Sequence, residues 1–132
     1  MGEKKTFGQT IRDLRKAKRP PLTQRELAER VAVRLREDDR RGFDFTYLSK
    51  IENDRLPPPS VPAIIALAEE LATRPDELLA LASKAPPDLG EALKKSEAAR
   101  TLFRSAVNNN LSEAEWSQLL DSLNRITKKR GE

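Results

Sequence analysis

Two groups of prolines divide the first half of the chain into short segments. Pro20 and Pro21 form the first group and residues 57–59 the second. Proline lacks a backbone N–H and its ring clashes with the preceding turn, so the first helix is expected to end near Lys18. Around the prolines, apolar residues recur every three or four positions, as on one face of a helix. The pattern predicts several short helices packed against each other.

Composition favours the same class and excludes several kinds of site. Hydrophobic residues make up 37% of the chain and aromatic residues only 5%, which is typical of helices packed on helices rather than of sheets. The 132 residues include no cysteine and no histidine, which removes disulfides, thiolate metal sites and the commonest general base. No phosphate-loop or nucleophile motif occurs. We therefore expect no enzyme activity, no cofactor and no metal site.

The distribution of charge is uneven along the chain. Residues 1–55 contain 15 Lys and Arg against 10 acidic residues, a net charge of +5. A basic half is typical of a nucleic-acid-binding surface, although an ordinary solvated surface gives the same count. No stretch approaches the roughly 20 apolar residues of a membrane span, and the first ten residues have no apolar signal core. A cytoplasmic location is therefore expected.

The second predicted helix begins with a capping box. Thr23 precedes the sequence QRE, and the side chains of Thr23 and Glu26 can each accept a hydrogen bond from the other's backbone N–H. Apolar residues at helical spacing continue as far as Leu35. We therefore expect this helix to run to residue 38 or 39, before Gly42 releases the chain.

A short third helix is predicted over about residues 45–53. Two apolar residues face its inner side, Leu48 and Ile51. The other side is polar. Ser60 can cap a fourth helix and Thr73 a fifth. Five helices then form a first domain over residues 1–84.

Residues 85–132 are predicted to form a separate helical region. The sequence KAPPDLG at 84–90 predicts a linker, one helix follows from Leu93 to the asparagines at 108–110, and a second begins after Ser112. Two helices of this size can hardly bury their own apolar faces, so they pack on the first domain or on a second copy. We expect the second copy. The dimer contact is then formed by Leu102, Phe103, Trp116, Leu119, Leu120 and Leu123.

Two sequences resemble a known family. TQRELAERV and TYLSKIENDRLPPPS are similar to the helix-turn-helix of the Xre family, the transcriptional regulators related to the lambda-type phage repressors. The resemblance covers about residues 7–82. It implies an all-α fold, a five-helix lambda repressor-like domain followed here by a two-helix extension. It also implies that the third helix enters the major groove of double-stranded DNA.

The resemblance assigns roles to individual residues. Gln24 matches a position that contacts a phosphate and supports the recognition helix. Phe45, Thr46 and Lys50 match positions that face base edges, although Phe45 alternatively fills the core. The remaining matches are phosphate or groove-edge contacts: Tyr47, which is alternatively packed, Ser49, Asn53 and Arg55.

A structural ion pair and an insertion complete the comparison with the family. The resemblance pairs Arg15 with Glu52, an ion pair that fixes the first helix to the recognition helix. The sequence RLREDDRRGF, residues 34–43, is a ten-residue insertion that the family usually lacks. Its four arginines either reach DNA or pair with the acids of the same segment, and we expect the self-paired, solvated loop.

These features predict a dimeric repressor that binds a palindromic operator. The alternatives are an antitoxin, whose C-terminal helices bind a toxin, and a protein-interaction adaptor that does not bind DNA. The resemblance also implies a regulatory metalloprotease as a partner, with residues 100–106 as the site of cleavage.

Overall fold

The computed structural model describes residues 4–131, and the regular elements within that range are all helices. The predicted all-α class is confirmed. The outer limits of the two predicted domains, residues 1 and 132, lie outside the described residues. The chain divides into two compact units, with the boundary between Pro87 and Asp88.

The described residues of the first unit form six helices. They are α1 (Phe7–Ala17), α2 (Gln24–Arg34), α3 (Glu37–Arg40), α4 (Phe45–Glu52), α5 (Val61–Glu70) and α6 (Pro75–Leu81). Helix α4 packs against α1 and α2, α2 also packs against α5, and α5 against α6. The largest fully buried side chains of this core are Ile11, Leu27, Leu48, Ile51, Ile64, Leu67, Leu78 and Leu79.

Local side-chain caps fix where most of these helices start. Thr23 and Glu26 form the predicted capping box at the start of α2, and Ser60 accepts a hydrogen bond from the backbone N–H of Ala63 at the start of α5. The cap predicted at Thr73 is wrong. Helix α6 starts after Arg74 without a side-chain cap, with a proline in its first turn, where the missing N–H costs nothing.

The insertion was predicted incorrectly in two respects. Helix α2 ends at Arg34 rather than at 38 or 39, and a separate short helix, α3, follows. Arg40 donates hydrogen bonds to the backbone oxygens of Ala32 and Leu35, both at 2.9 Å, and so adds side-chain donors at the end of α2, where the last carbonyls lack a full set of intrahelical partners. The expected self-paired loop is therefore absent from the described structure, and the insertion gives the first unit six helices instead of five.

Apolar residues at both ends of the insertion enter the core. Leu35 and Phe43 are buried, and Phe43 packs edge-on against Tyr47 with the ring centroids 5.5 Å apart. At the start of the insertion, Arg34 forms ion pairs with Glu69 and Glu70 of α5. The insertion is thus attached to the domain at both ends.

As far as residue 131, the second unit contains three helices instead of the predicted two. They are α7 (Pro87–Lys95), α8 (Glu97–Asn108) and α9 (Glu113–Gly131). The predicted linker at 84–90 is wrong in its second half, because Pro87 stands at the first position of a helix, where its fixed backbone angle is favourable. Ser96 interrupts the predicted helix by capping α8, where it accepts a hydrogen bond from Ala99 at 3.0 Å.

Apolar side chains of the second unit are largely exposed. Leu102 is 51% exposed, Phe103 38%, Leu120 56% and Leu123 52%. Within α9 as described, no side chain is buried. None of the helices among residues 4–131 combines the length and the apolar character needed to cross a membrane.

Candidate nucleic-acid interface

Helix α4 presents one buried and one open face. Asp44 caps the helix by accepting a hydrogen bond from the Tyr47 backbone N–H at 2.9 Å. Leu48 and Ile51 are buried in the core, and Thr46 and Lys50 are exposed on the opposite side. Within the described chain, Lys50 forms no ion pair. The open face therefore carries hydrogen-bonding groups that are available to a ligand.

A buried glycine lets α1 approach the end of α4 closely. A Cβ atom at Gly8 would overlap the carbonyl oxygen of Ile51 and lie 3.0 Å from that of Glu52. Only a residue without a side chain permits this contact between the two backbones. Sequence reasoning missed Gly8, because nothing in the local pattern separates it from a helix-terminal glycine.

Glu52 is the centre of a buried polar network at the end of α4. The residue is 1% exposed, and its two carboxylate oxygens accept hydrogen bonds from Nε and Nη2 of Arg15, both at 2.8 Å. Gln24, at the start of α2, donates to the same carboxylate at 3.0 Å. Arg15 also donates to the Leu22 carbonyl at 2.9 Å. The network connects α1, α2 and α4, so it fixes the orientation of α4.

A second set of contacts surrounds Asn53, just after α4. Arg12 donates a hydrogen bond to Asn53 Oδ1, and the Asn53 amide nitrogen donates to the Ser49 carbonyl at 2.8 Å. Thr6 donates to the carboxylate of Asp54 at 3.0 Å. These bonds hold the turn after α4 against α1. Arg55, which follows it, is exposed.

Phe45 lies at the surface rather than in the core. Its side chain is 39% exposed, and the guanidinium of Arg25 stacks over its ring at 4.3 Å from the centroid. Phe43, from the insertion, is buried instead. Tyr47 is half-buried beside Phe43, and desolvation raises the pKa of its phenol. Arg25 was not predicted as a site residue; the available signal was its position beside Gln24.

The first unit matches a known protein family. Residues 6–82, more than half of the chain, match the family described as a helix-turn-helix domain. The chain belongs to this helix-turn-helix family. Searches among curated proteins and among solved structures returned no match. A helix-turn-helix domain supplies a DNA-binding fold.

The predicted site residues of this helix-turn-helix domain lie on α4, in the turn that follows it and at the start of α2. Phe45, Thr46, Lys50, Asn53 and Arg55 are exposed, and Gln24, Tyr47 and Ser49 are half-buried. Their roles in DNA contact stay predictions. We call this set the α4 surface.

The insertion contributes few free cations to the helix-turn-helix domain. Arg34 is paired with α5, and Arg40 is bonded to the end of α2. Arg36 and Arg41 are exposed, and neither forms an ion pair in the part of the chain that the structure describes. Among these same residues, no cluster of acidic side chains has the arrangement of a metal site.

Proposed function

We propose that this protein is a transcriptional repressor of the Xre type that binds a specific DNA sequence as a dimer. The observation that supports it is the α4 surface, whose polar side chains stand outward on a helix fixed from behind by the Glu52 network. A rigid support matters because side chains read base edges only when their donors and acceptors are held in register with the groove.

The polar groups of the α4 surface divide into two functions. Lys50 donates to N7 and O6 of guanine, and Thr46 bonds to a base edge, so these two residues determine sequence. Gln24 and Arg55 contact phosphates and determine position. Arg25 holds Phe45 at the edge of the surface, where the ring packs on a thymine methyl group.

Dimerisation follows from the second unit. Its exposed apolar side chains, among them Leu102, Phe103, Trp116, Leu119, Leu120 and Leu123, form a face that requires a partner, and a second copy supplies a matching face. Two α4 helices then enter successive major grooves about 34 Å apart on a palindromic operator. Occupation of the operator blocks a promoter and represses transcription. The protein acts in the cytoplasm, without enzyme activity, cofactor or metal.

Regulation by proteolysis belongs to the same proposal. A metalloprotease that cuts within residues 100–106 would remove α9 from the rest of the chain and with it much of the apolar face. Phe103 and Arg104 in this segment are exposed. Incubation with a candidate metalloprotease encoded beside this protein should release a fragment beginning within 100–106 and abolish dimers. An intact, dimeric chain after incubation contradicts this part of the proposal.

Selection from a random duplex library tests the proposed function directly. The expected result is an enriched inverted repeat whose half-sites are one helical turn apart, with affinity that falls steeply as salt rises. Lys50→Ala is expected to weaken binding to the enriched site and to relax the preference at one base pair per half-site. No enrichment, together with no salt-dependent binding to random duplex, identifies the adaptor and refutes the proposal. Co-purification of a neighbouring toxin in place of a second copy identifies the antitoxin.

A further inference from the structure

Helix α9 carries its apolar residues in the pattern of a coiled-coil seam. Trp116, Leu119, Leu123 and Ile126 are spaced three, four and three residues apart, which corresponds to alternating a and d positions of a heptad. All four are exposed, from 37% for Leu119 to 62% for Ile126. Leu120 widens the same face. Helix α9 is 19 residues long, and its seam residues between 116 and 126 all keep a solvent-exposed fraction.

The charges at the two ends of α9 are opposite. Glu113 and Glu115 lie in the first turn, and Lys128, Lys129 and Arg130 lie in the last. The distribution matches the helix dipole. It also makes α9 complementary to a copy of itself running in the opposite direction, because each acidic end then meets a basic end.

We infer that the second copy binds through α9, with the two α9 helices antiparallel about a two-fold axis near residue 121. The inference rests on the proposed dimer and specifies its geometry. In this register Trp116 lies opposite Ile126 of the partner subunit, and Leu119 opposite Leu123 of the partner subunit. Apolar side chains from both helices then fill every layer of the seam.

The charges on α9 favour an antiparallel pair over a parallel one. Antiparallel helices place Glu115 beside Lys129 of the partner subunit, since both residues flank the seam on the same side, and the two-fold axis repeats this contact. Glu113 lies level with the same basic end. A parallel pair brings the acids of both chains together at one end and the basic residues together at the other, which is unfavourable at both ends.

Self-complementarity of one helix favours a second copy over an unrelated protein. A two-fold contact requires that each surface patch match itself after rotation, and α9 meets this requirement in both its apolar layers and its charges. Asp121 and Arg125 lie on the side of the helix opposite the seam by the helical spacing and take no part in the contact.

Charge reversal tests the inference in the full-length chain without DNA. One variant carries Glu113→Lys and Glu115→Lys, and the other carries Lys129→Glu and Arg130→Glu. Each variant alone is expected to self-associate at least about tenfold more weakly than the unaltered chain in sedimentation velocity at low salt, because favourable contacts become repulsive. An equal mixture of the two variants should form heterodimers with the affinity of the unaltered chain.

A loss of helix capping cannot imitate this result. Glu115 accepts a hydrogen bond from the Ser112 backbone N–H at 2.9 Å, so the acidic-end variant also loses a cap, but a change at the basic end of another chain cannot restore that cap. Asp121→Lys is the matched control, a reversal on the outer side of α9, and should leave association unchanged.

Cross-linking tests the direction of the pair independently. The chain has no cysteine, so Trp116→Cys and Ile126→Cys each introduce a single thiol. In the antiparallel pair, equal positions are about 15 Å apart along the axis, too far for a disulfide. Oxidation should therefore link only a mixture of the two variants. Disulfides within each variant alone, no rescue in the mixed reversals, or a monomeric unaltered chain overturn the inference. If a dimeric chain fails these tests yet still selects its operator, the proposed function stands without this geometry.

Discussion

Removal of Arg15 tests whether the Glu52 network positions the recognition helix. Glu52 is 1% exposed in the unaltered chain, and in Arg15→Ala its carboxylate loses two hydrogen bonds of 2.8 Å. Its remaining partners are Gln24 at 3.0 Å and Arg12 at 3.8 Å. The carbonyl of Leu22, a buried residue, also loses its donor.

The cost follows from loss of the main partner of a buried charge, because the distance of 3.8 Å to Arg12 is longer than the 2.8 Å of the lost bonds. Removing one member of a buried ion pair typically costs about 3 to 5 kcal/mol, against a total stability of roughly 5 to 15 kcal/mol for a domain of this size. Each kcal/mol corresponds to about 4 to 8 °C in a domain of 60 to 100 residues, so Tm should fall by at least about 12 °C. Affinity for the selected DNA should fall as well, because α4 loses its fixed orientation.

Thermal and urea unfolding measure the first effect, and fluorescence anisotropy with labelled operator measures the second below the lowered Tm. Lys5→Ala is the control, since it removes an exposed ion pair with Asp13 that contributes little to stability. Arg15→Met combined with Glu52→Leu removes both charges and should recover much of the lost stability. If Arg15→Ala leaves both Tm and affinity unchanged, the network has no positioning role.

Three further predictions concern other residues of the first unit. Gly8→Ala should lower the free energy of unfolding in urea by about 1 to 3 kcal/mol and weaken operator binding, because its Cβ collides with the Ile51 carbonyl. The control Gly90→Ala should not destabilise the chain, since a Cβ there has nothing within 4 Å. Equal stability of the two variants contradicts the close packing at Gly8. Arg55→Ala should weaken binding to all duplexes alike and reduce the salt dependence of the affinity by about one phosphate contact. Lys50→Ala should mainly weaken binding to the selected sequence. The reverse pattern in anisotropy titrations would exchange the roles of the two residues. Hydrogen bonds from the backbone and side chain of Thr23 lower the pKa of Glu26 below its ordinary value of 4.5. The Glu26 carboxylate therefore stabilises the domain above pH 4.5, and this stabilisation is lost as pH falls through the lowered pKa. The stability difference between the unaltered chain and Glu26→Gln should be largest near pH 7 and vanish at low pH, and a difference that does not change with pH refutes this prediction.

Sequence reasoning performed best where a helix is specified by its own residues. The capping box of Thr23 with Glu26 and the cap at Ser60 act over three positions, so their side chains identify helix starts directly. The inward pair of Leu48 and Ile51 likewise located α4. These signals are local, and the structure reproduces them.

Features decided by distant residues could not be predicted in the same way. The end of α2 depends on Arg40, which reaches back eight residues to the Ala32 carbonyl, while the local apolar pattern simply continued to Leu35. Phe43 and Phe45 have similar sequence surroundings, yet one is buried and the other stacks against Arg25. Only the packing of α2 against α4 distinguishes them.

Because both ends of the insertion are attached to the domain, its middle portion can change in sequence independently of the rest. Leu35 and Phe43 lock its two ends into the domain, while the side chains of Arg36, Glu37 and Arg41 project into solvent. Mutations in this middle portion change surface charge without moving the flanking helices. Such mutations would change the general attraction of the domain to nucleic acid and leave the α4 surface as it is.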